Sequence, residues 1–513
     1  MHIGKFLAIG AMALAIPATA MAAHNRAGGS FTNYQLGSVL GESCPNSSSP
    51  CTNIASEPAI RSDNAGTFYT ASENGLGGGT DAWKSIDSGQ HYTFLGEPDA
   101  GSTSNNTGFA PGGGDVDLAT APVKNAAGFY NVYVASLSLA NVDVSTSADG
   151  GKTFTLNPTG ATIPGDDREW IAADGASKAC ISYHDVETYN IDVDCSYDAG
   201  LTFTQLGDAI DTAHAYNIDN NEIGNMAIDP NNHYIYQTFS GIDQTDLVGS
   251  TLGTGVGYHV VYMAVSTDGG KTFTDYKVYD NPNTSTAYGH QFVNVSVDTA
   301  GNVYSVYSDN HNTYYSYSTD HGQTWSAPSQ INSGTAATAI MPWSVAGKPG
   351  RLAVVFYGTS YYDGTTTPDN YPPTAAWNAY YAENDNALTS GSSFTQTTAS
   401  PINHYGGVCE SGVTCTGNRD LYDDFGVAAS PTTSAVSIAY SDDQYDPSQP
   451  TGCAQTANNT ATCDHTNIAT GASQLFTKGN GNGGGDGGGH GGGHGGGHGG
   501  GHGGGHKGGG DGN

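Results

Sequence analysis

Cations are what this chain lacks most: 15 lysines and arginines stand against 48 aspartates and glutamates, a formal charge of −33 at pH 7. The deficit comes from missing basic residues rather than from acidic blocks. No surface is available to neutralise phosphates, so neither nucleic acid nor an anionic membrane is an expected partner. Long apolar runs are missing once the first 22 residues are set aside, and none approaches the ~20 residues that span a bilayer. Ala, Leu, Glu and Lys recurring at helical spacing are almost absent, which excludes a mainly helical fold. The eight cysteines are too sparse for a disulfide scaffold. Their close spacing (Cys44/Cys51, Cys180/Cys195, Cys409/Cys415, Cys453/Cys463) suits local bridges formed in an oxidising compartment, with connectivity left open.

What is present begins with an export pattern. A short basic start from Met1 to Lys5, an apolar run from Phe6 and the small-x-small triplet Ala20, Met21, Ala22 read as a signal peptide over residues 1–22. The mature protein is therefore expected to be secreted or periplasmic. Gly, Ser, Thr, Tyr and Val are abundant and alternate with period two, so the chain reads as all-β.

One octapeptide recurs. Ser266, Asp268, Gly270, Thr272 and Phe273 have counterparts at Ser147, Asp149, Gly151, Thr153, Phe154; at Ser196, Asp198, Gly200, Thr202, Phe203; and at Ser318, Asp320, Gly322, Thr324, Trp325. A worn copy runs from Ser85 through Asp87 and Gly89 to Tyr92. A period-two strand precedes each copy and a short strand follows, so the octapeptide reads as the tip of a β-hairpin. The Asp carboxylate is expected to accept N–H groups two residues on, Gly to take positive φ, and the aromatic to return beneath the turn into the core.

The pattern Ser-x-Asp-x-Gly-x-Thr-aromatic resembles the Asp-box, or BNR repeat, of sialidase-like β-propellers, over nearly all of residues 23–476. The resemblance implies blades of four antiparallel strands in a ring, with the boxes holding turns rather than doing chemistry. Sets of four strand-like runs have innermost strands starting near Glu57, Asp115, Glu169, Glu222, His290, Pro342 and Asp424. The count favours seven blades, with six as the alternative. The run from Phe31 resembles the strand after the box at Phe203, so the N-terminal strand is predicted to close the last blade and remove a free sheet edge. Cys180 and Cys195 fall on neighbouring strands of the third set, where a cross-strand disulfide fits.

Loops entering the innermost strands share one face of a propeller with those joining second and third strands. Placed there, the sequence collects Glu57, Asp115, Arg168, Glu169, Trp170, Glu222, His290, Trp343, Arg419, Asp420, Tyr422, Asp423 and Asp424, with His184, Asp185, Asp309, His311, Tyr361, Asp442 and Asp443 from the second set of loops. Aromatic faces suit sugar C–H surfaces, and paired acids suit glycoside hydrolysis when their pKa values are pushed apart. The resemblance implies a secreted, sialidase-like glycoside hydrolase of extracellular glycans, with Glu169, Tyr422, Asp423 and Asp424 catalytic and Arg168, Trp170, Arg419, Asp115, Glu222, His290 and Trp343 binding substrate. It departs from exo-sialidases in having no Arg-Ile-Pro motif and only two arginines, Arg168 and Arg419, toward the depression. A non-catalytic propeller that binds glycan or protein is the rival. The acidic mouth also suits Ca²⁺.

After Phe476 the chain becomes Gly-rich, and His490, His494, His498, His502 and His506 are each separated by three glycines. Glycine disfavours helix by about 1 kcal/mol per residue, so residues 477–513 read as a disordered tether. The regular imidazoles suit Zn²⁺, Ni²⁺ or Cu²⁺, and the other reading is a plain linker. The metal reading predicts that deleting residues 487–513 abolishes calorimetric binding of these ions; identical isotherms before and after deletion leave the linker.

Overall fold

The structure is a computed structural model, and it describes residues 31–100, 111–139, 141–289, 292–444 and 463–477. The chain divides into two units, Met1–Thr477 and Lys478–Asn513, and the described residues belong to the first. The signal-peptide pattern, His290, Cys453 and the tail histidines lie outside the described residues.

Strands form where β-branched and aromatic residues run in sequence, and many are buried on both sides. Val260–Ser266 and Leu352–Thr359 are buried at every position, because each sheet is sandwiched between two others. Seven sheets of four or five antiparallel strands result. Their inner strands are Ser56–Ser62, Val116–Lys124, Asp166–Asp174, Glu222–Ile228, Asn294–Val297, Thr338–Ala346 and Gly426–Ala429, here numbered blades 1 to 7. Each inner strand contacts the next, and the seventh contacts the first, so the ring closes as a seven-bladed propeller. Thr32–Gln35 pairs with His465–Ala472, Tyr34 opposite Ile468, and closes blade 7. Blade 1 carries a fifth strand, Ser43–Cys44, on its outer edge. In blade 5 the outer strand is Ser329–Gln330; Pro328, which has no N–H to give a ladder, separates it from the turn that ends at Trp325.

The recurrent turns have the expected form with one correction. Asp268 reaches three and four residues on: Oδ1 accepts from the N–H groups of Lys271 and Thr272 at 3.0 Å each, and Oδ2 from Thr272 Oγ1 at 2.8 Å. Ser266 Oγ donates to the same carboxylate at 2.9 Å and accepts from Gly270 N–H at 2.8 Å, while Gly270 sits at φ 103°. The aromatic then turns inward; Phe154 and Phe273 are buried in the core.

Disulfides join Cys44 to Cys51, Cys180 to Cys195 and Cys409 to Cys415, and Cys180 stands opposite Cys195 across neighbouring strands. Cys463 is disulfide-bonded as well. Such bridges mark a chain that matures outside the reducing cytosol. Among the described residues no helix is long and apolar enough to cross a membrane.

A second device recurs at the heads of inner strands. Register shifts fall between Ser56 and Ala59, Asp167 and Glu169, and Ile340 and Trp343. Within them Glu57, Arg168 and Met341 take φ of 49°, 48° and 51°. A β-bulge with a left-handed residue breaks the alternation of the strand and re-aims a side chain. At Glu57 and Arg168 the re-aimed groups are the ones that meet on the axis.

Because one carboxylate organises four hydrogen bonds in the recurrent turn, Asp268→Ala is predicted to cost about 1–2 kcal/mol in chemical denaturation. Asp268→Asn, which keeps the Oδ1 acceptor, is predicted to cost less.

Candidate functional site

The floor of the site is a guanidinium. Arg168, on blade 3, donates from Nη1 to Glu57 Oε1 of blade 1 at 2.6 Å, lies 3.4 Å from Asp115 Oδ1 at the head of blade 2, and donates from Nη2 to Asp424 Oδ2 at the head of blade 7. One side chain thus spans the axis and ties four blades together. It is only 4 % exposed. Its guanidinium carbon lies 3.9 Å from the Trp170 ring centre and 4.6 Å from that of Phe292, a cation–π seat suited to the planar charge. Trp170 in turn packs on Trp343, 5.3 Å between ring centres, and Arg61 covers Trp343 at 4.9 Å while donating to Asp117 Oδ1 at 2.7 Å.

This packing corrects the expected roles of several residues. Trp170 is fully buried and Trp343 nearly so, so their faces hold arginines rather than a sugar. Glu169 is fully buried, and neither of its oxygens has a hydrogen-bond partner; burial and the nearby charge of Asp115 push its carboxyl well above the ordinary range. It has no access to a substrate. Arg168, buried and held by three acids, is the floor rather than a substrate clamp.

The partly buried mouth above comprises Asp115, Glu222, Arg419, Tyr422 and Asp423. Arg419 Nη2 donates to Asp423 Oδ2 at 2.6 Å and its guanidinium lies 5.5 Å from the Tyr422 ring centre. The turn that brings them together closes through Tyr422 N–H to Arg419 C=O at 2.9 Å, with Tyr422 at φ 58°. Two anchors hold this segment. Cys409 of the Cys409–Cys415 loop donates its N–H to Asn418 C=O at 2.7 Å. Buried His404 meets Asp443 Oδ2 with Nδ1 at 2.9 Å and Gly407 C=O with Nε2 at 2.8 Å. Burial opposes charge on this ring, but the Asp443 carboxylate and the carbonyl hold its pKa above the ordinary value.

Burial also sorts the acids. It pushes Glu57 and Asp115 upward, with neighbouring carboxylates adding to the effect on Glu57. Asp424 rises to about 7 by burial against the pull of Arg168, and Glu222 to about 7 by burial and then by the charges of Asp167 and Asp423. The Tyr422 phenol is pushed up by burial and by Asp464, which keeps it neutral and withholds the phenolate a nucleophile would need.

Some members carry no motif. Glu73, at the end of the second strand of blade 1, is buried and raised by burial and Asp115; its place at the strand 2–3 loop was the available signal. Tyr258 lies beside Glu222 across Gly289. Glu410, inside the small disulfide loop, feels Asp423. By contrast Asp185, Asp309 and Tyr361 mainly fasten their own loops. As a metal set, Glu57, Asp115 and Asp423 offer oxygens within 4.8 Å of one another, the donor type Ca²⁺ takes.

No protein-family model matches this chain, and no curated protein matches it. Similar solved structures include an α-L-arabinofuranosidase of Fusarium graminearum (13 % identity, 85 % of this chain and 98 % of that chain, TM-score 0.43). Others are an α-L-arabinanase of Penicillium chrysogenum (12 %, 86 % and 98 %, TM-score 0.41) and a Hadza microbial sialidase (13 %, 59 % and 63 %, TM-score 0.36). The chain's own residues carry the functional reading that follows.

Removing the Arg168 side chain strands three carboxylates, so Arg168→Ala is predicted to cost about 3–5 kcal/mol at pH 8 and distinctly less at pH 5, where Asp424 is protonated. In the wild type, carboxyls raised to about 7 (Asp424, Glu222) and about 9 (Asp464) hold protons that the unfolded chain releases near 4. Their contribution to stability is full below about pH 4 and is lost as pH rises through 7 to 9; denaturation midpoints against pH check both statements.

Proposed function

We propose that this propeller is a glycoside hydrolase acting on uncharged extracellular glycans at its acidic mouth. The observation that carries the reading is a pair of partly buried acids in contrasting settings. Glu222 sits with its carboxyl at about 7, ready to give a proton to a leaving oxygen. Asp423 is held by Arg419 in an ion pair and serves as the anionic partner, base or nucleophile. A carboxyl that keeps its proton in the same mouth as an ion-paired carboxylate is what acid-assisted cleavage of a glycosidic bond requires. Tyr258 and Tyr422 flank them with ring surface for sugar C–H groups.

The charge balance selects the substrate. Arg168 and Arg61 are occupied by acids and Arg419 by Asp423, so each described guanidinium near the mouth is already paired with an acid of the protein. The surrounding carboxylates would repel one. A sialoside is therefore not the substrate proposed.

Turnover of a panel of neutral glycosides and polysaccharides, with a sialoside included, tests the reading. Glu222→Gln and Asp423→Asn are each predicted to lower kcat by about 10²–10⁴. The Glu222 proton is present below about pH 7 and lost above it, so kcat/KM should fall as pH rises through 7, and this limb should vanish in Glu222→Gln. Unchanged turnover in both variants would overturn the assignment, and binding across the panel without cleavage would make the protein a glycan-binding propeller.

A further inference from the structure

The segment that carries Arg419, Tyr422 and Asp423 also carries Asp420, which meets two buried side chains from other segments of blades 6 and 7. His404 lies on the short strand His404–Tyr405, which pairs with the third strand of blade 6 through Trp377. Asp443 follows the second strand of blade 7, Ala435–Asp442, and donates its N–H to Asn403 C=O at 3.1 Å. A ring nitrogen of His404 and one carboxylate oxygen from each aspartate all lie within 4.8 Å of one another. His404 and Asp443 are fully buried, and Asp420 is 6 % exposed.

The hydrogen-bond pattern shows which atoms are available. His404 Nε2 lies 2.8 Å from Gly407 C=O, which only accepts, so Nε2 carries the ring's hydrogen. Nδ1 then turns its lone pair toward Asp443 Oδ2 at 2.9 Å, a contact that holds only with something positive between the two atoms. A proton bridges that pair alone and leaves Asp420 out: Asp420 Oδ2 is inaccessible and has no hydrogen-bond partner. A metal ion uses all three donors at once. Strand register brings a fourth oxygen donor close. Asp442 stands opposite His465, so Asp443 and Asp464 are the next residues outward on adjoining strands, and Asp464 is 1 % exposed.

We infer that His404 Nδ1, Asp420 and Asp443, with Asp464 as the fourth donor, bind a divalent first-row metal ion such as Zn²⁺. One imidazole among carboxylates suits Zn²⁺ rather than Ca²⁺, which takes oxygen ligands alone. Zn²⁺ holds such nitrogen and oxygen donors at about 2.0–2.2 Å, a contraction that small side-chain rotations supply. The hydrogen bond from Nε2 to a backbone carbonyl is the outer contact by which proteins orient a ligating imidazole. Because its ligands are buried, the ion would be structural. It would tie the second strand of blade 7 and the edge of blade 6 to the segment that presents Arg419, Tyr422 and Asp423. The site shares no ligand with the central trio of Glu57, Asp115 and Asp423 and rests on no part of the glycosidase reading.

The test uses the full chain, stripped with a chelator and reloaded with Co²⁺ or Zn²⁺. Co²⁺ absorbs strongly in the visible when four-coordinate in a dry site and weakly when six-coordinate among waters. Strong bands that saturate at about one ion per chain, and that Zn²⁺ abolishes, are expected. Zn²⁺ should raise the unfolding midpoint by several degrees, also after saturation with Ca²⁺. In Asp420→Asn both the bands and the rise should disappear. A merely structural Asp420 would lower the metal-free midpoint and leave the response to Zn²⁺ intact, so a rise retained in Asp420→Asn overturns the assignment. Should that variant fail to fold, the wild type decides alone. Weak bands only, or a Zn²⁺ rise that prior Ca²⁺ removes, would overturn the site, and the second result would place the ion at the central trio.

Discussion

The structure depends on one buried cation. Arg168 brings its charge to the axis of the ring, where acids from blades 1, 2 and 7 accept it and Trp170 and Phe292 support its plane. Without that guanidinium, the heads of four inner strands would present uncompensated carboxylates to one another in a space nearly closed to water. Desolvating such charges is costly, and an ion pair recovers the cost only when its geometry is complete. The bulges at Glu57 and Arg168 complete it, by turning side chains inward that regular alternation would have placed elsewhere.

Once the floor is neutralised, the layer above can hold acids in unlike states. Arg419 answers Asp423, while burial raises Glu222 and even the three carboxyls that Arg168 meets. The chemistry proposed for the mouth follows from this division of one acidic field into proton donors and anions. Its preference for uncharged substrate has the same origin, since the available guanidinium groups are already engaged by the protein's own acids.

The scarcity of lysine and arginine shapes the remainder of the molecule as well. Propeller blades pack face to face, so acids on inner faces of strands enter dry interfaces whether or not a cation is supplied. At the axis arginine supplies it. Between blades 2 and 3 unpartnered carboxylate oxygens remain, and burial raises Asp166 and Asp192 until protons take arginine's place. The overall charge of −33 is in this sense an interior property as much as a surface one.

Much of the architecture was legible because it is written locally. The spacing of Ser266, Asp268, Gly270 and Phe273 encodes a turn within eight residues, the period-two runs encode strands, and the copies in series encode blades; even the closing strand at Thr32–Gln35 resembles its counterpart in another blade. The list of acids and arginines near the axis was legible too, since inner strands must begin there. What the sequence could not assign was the facing of those side chains. Glu57 and Arg168 adopt positive φ although neither is glycine, so no local signal announces the bulges. Trp170 and Glu169 sit beside Arg168 in sequence yet are sealed into the core, and Glu73, Tyr258 and Glu410 join the site from loops without a motif. Turn and strand chemistry depends on neighbours in the chain, which the sequence alone determines. Charge pairing, burial and the resulting proton affinities depend on groups from different blades, which meet only when the ring has closed.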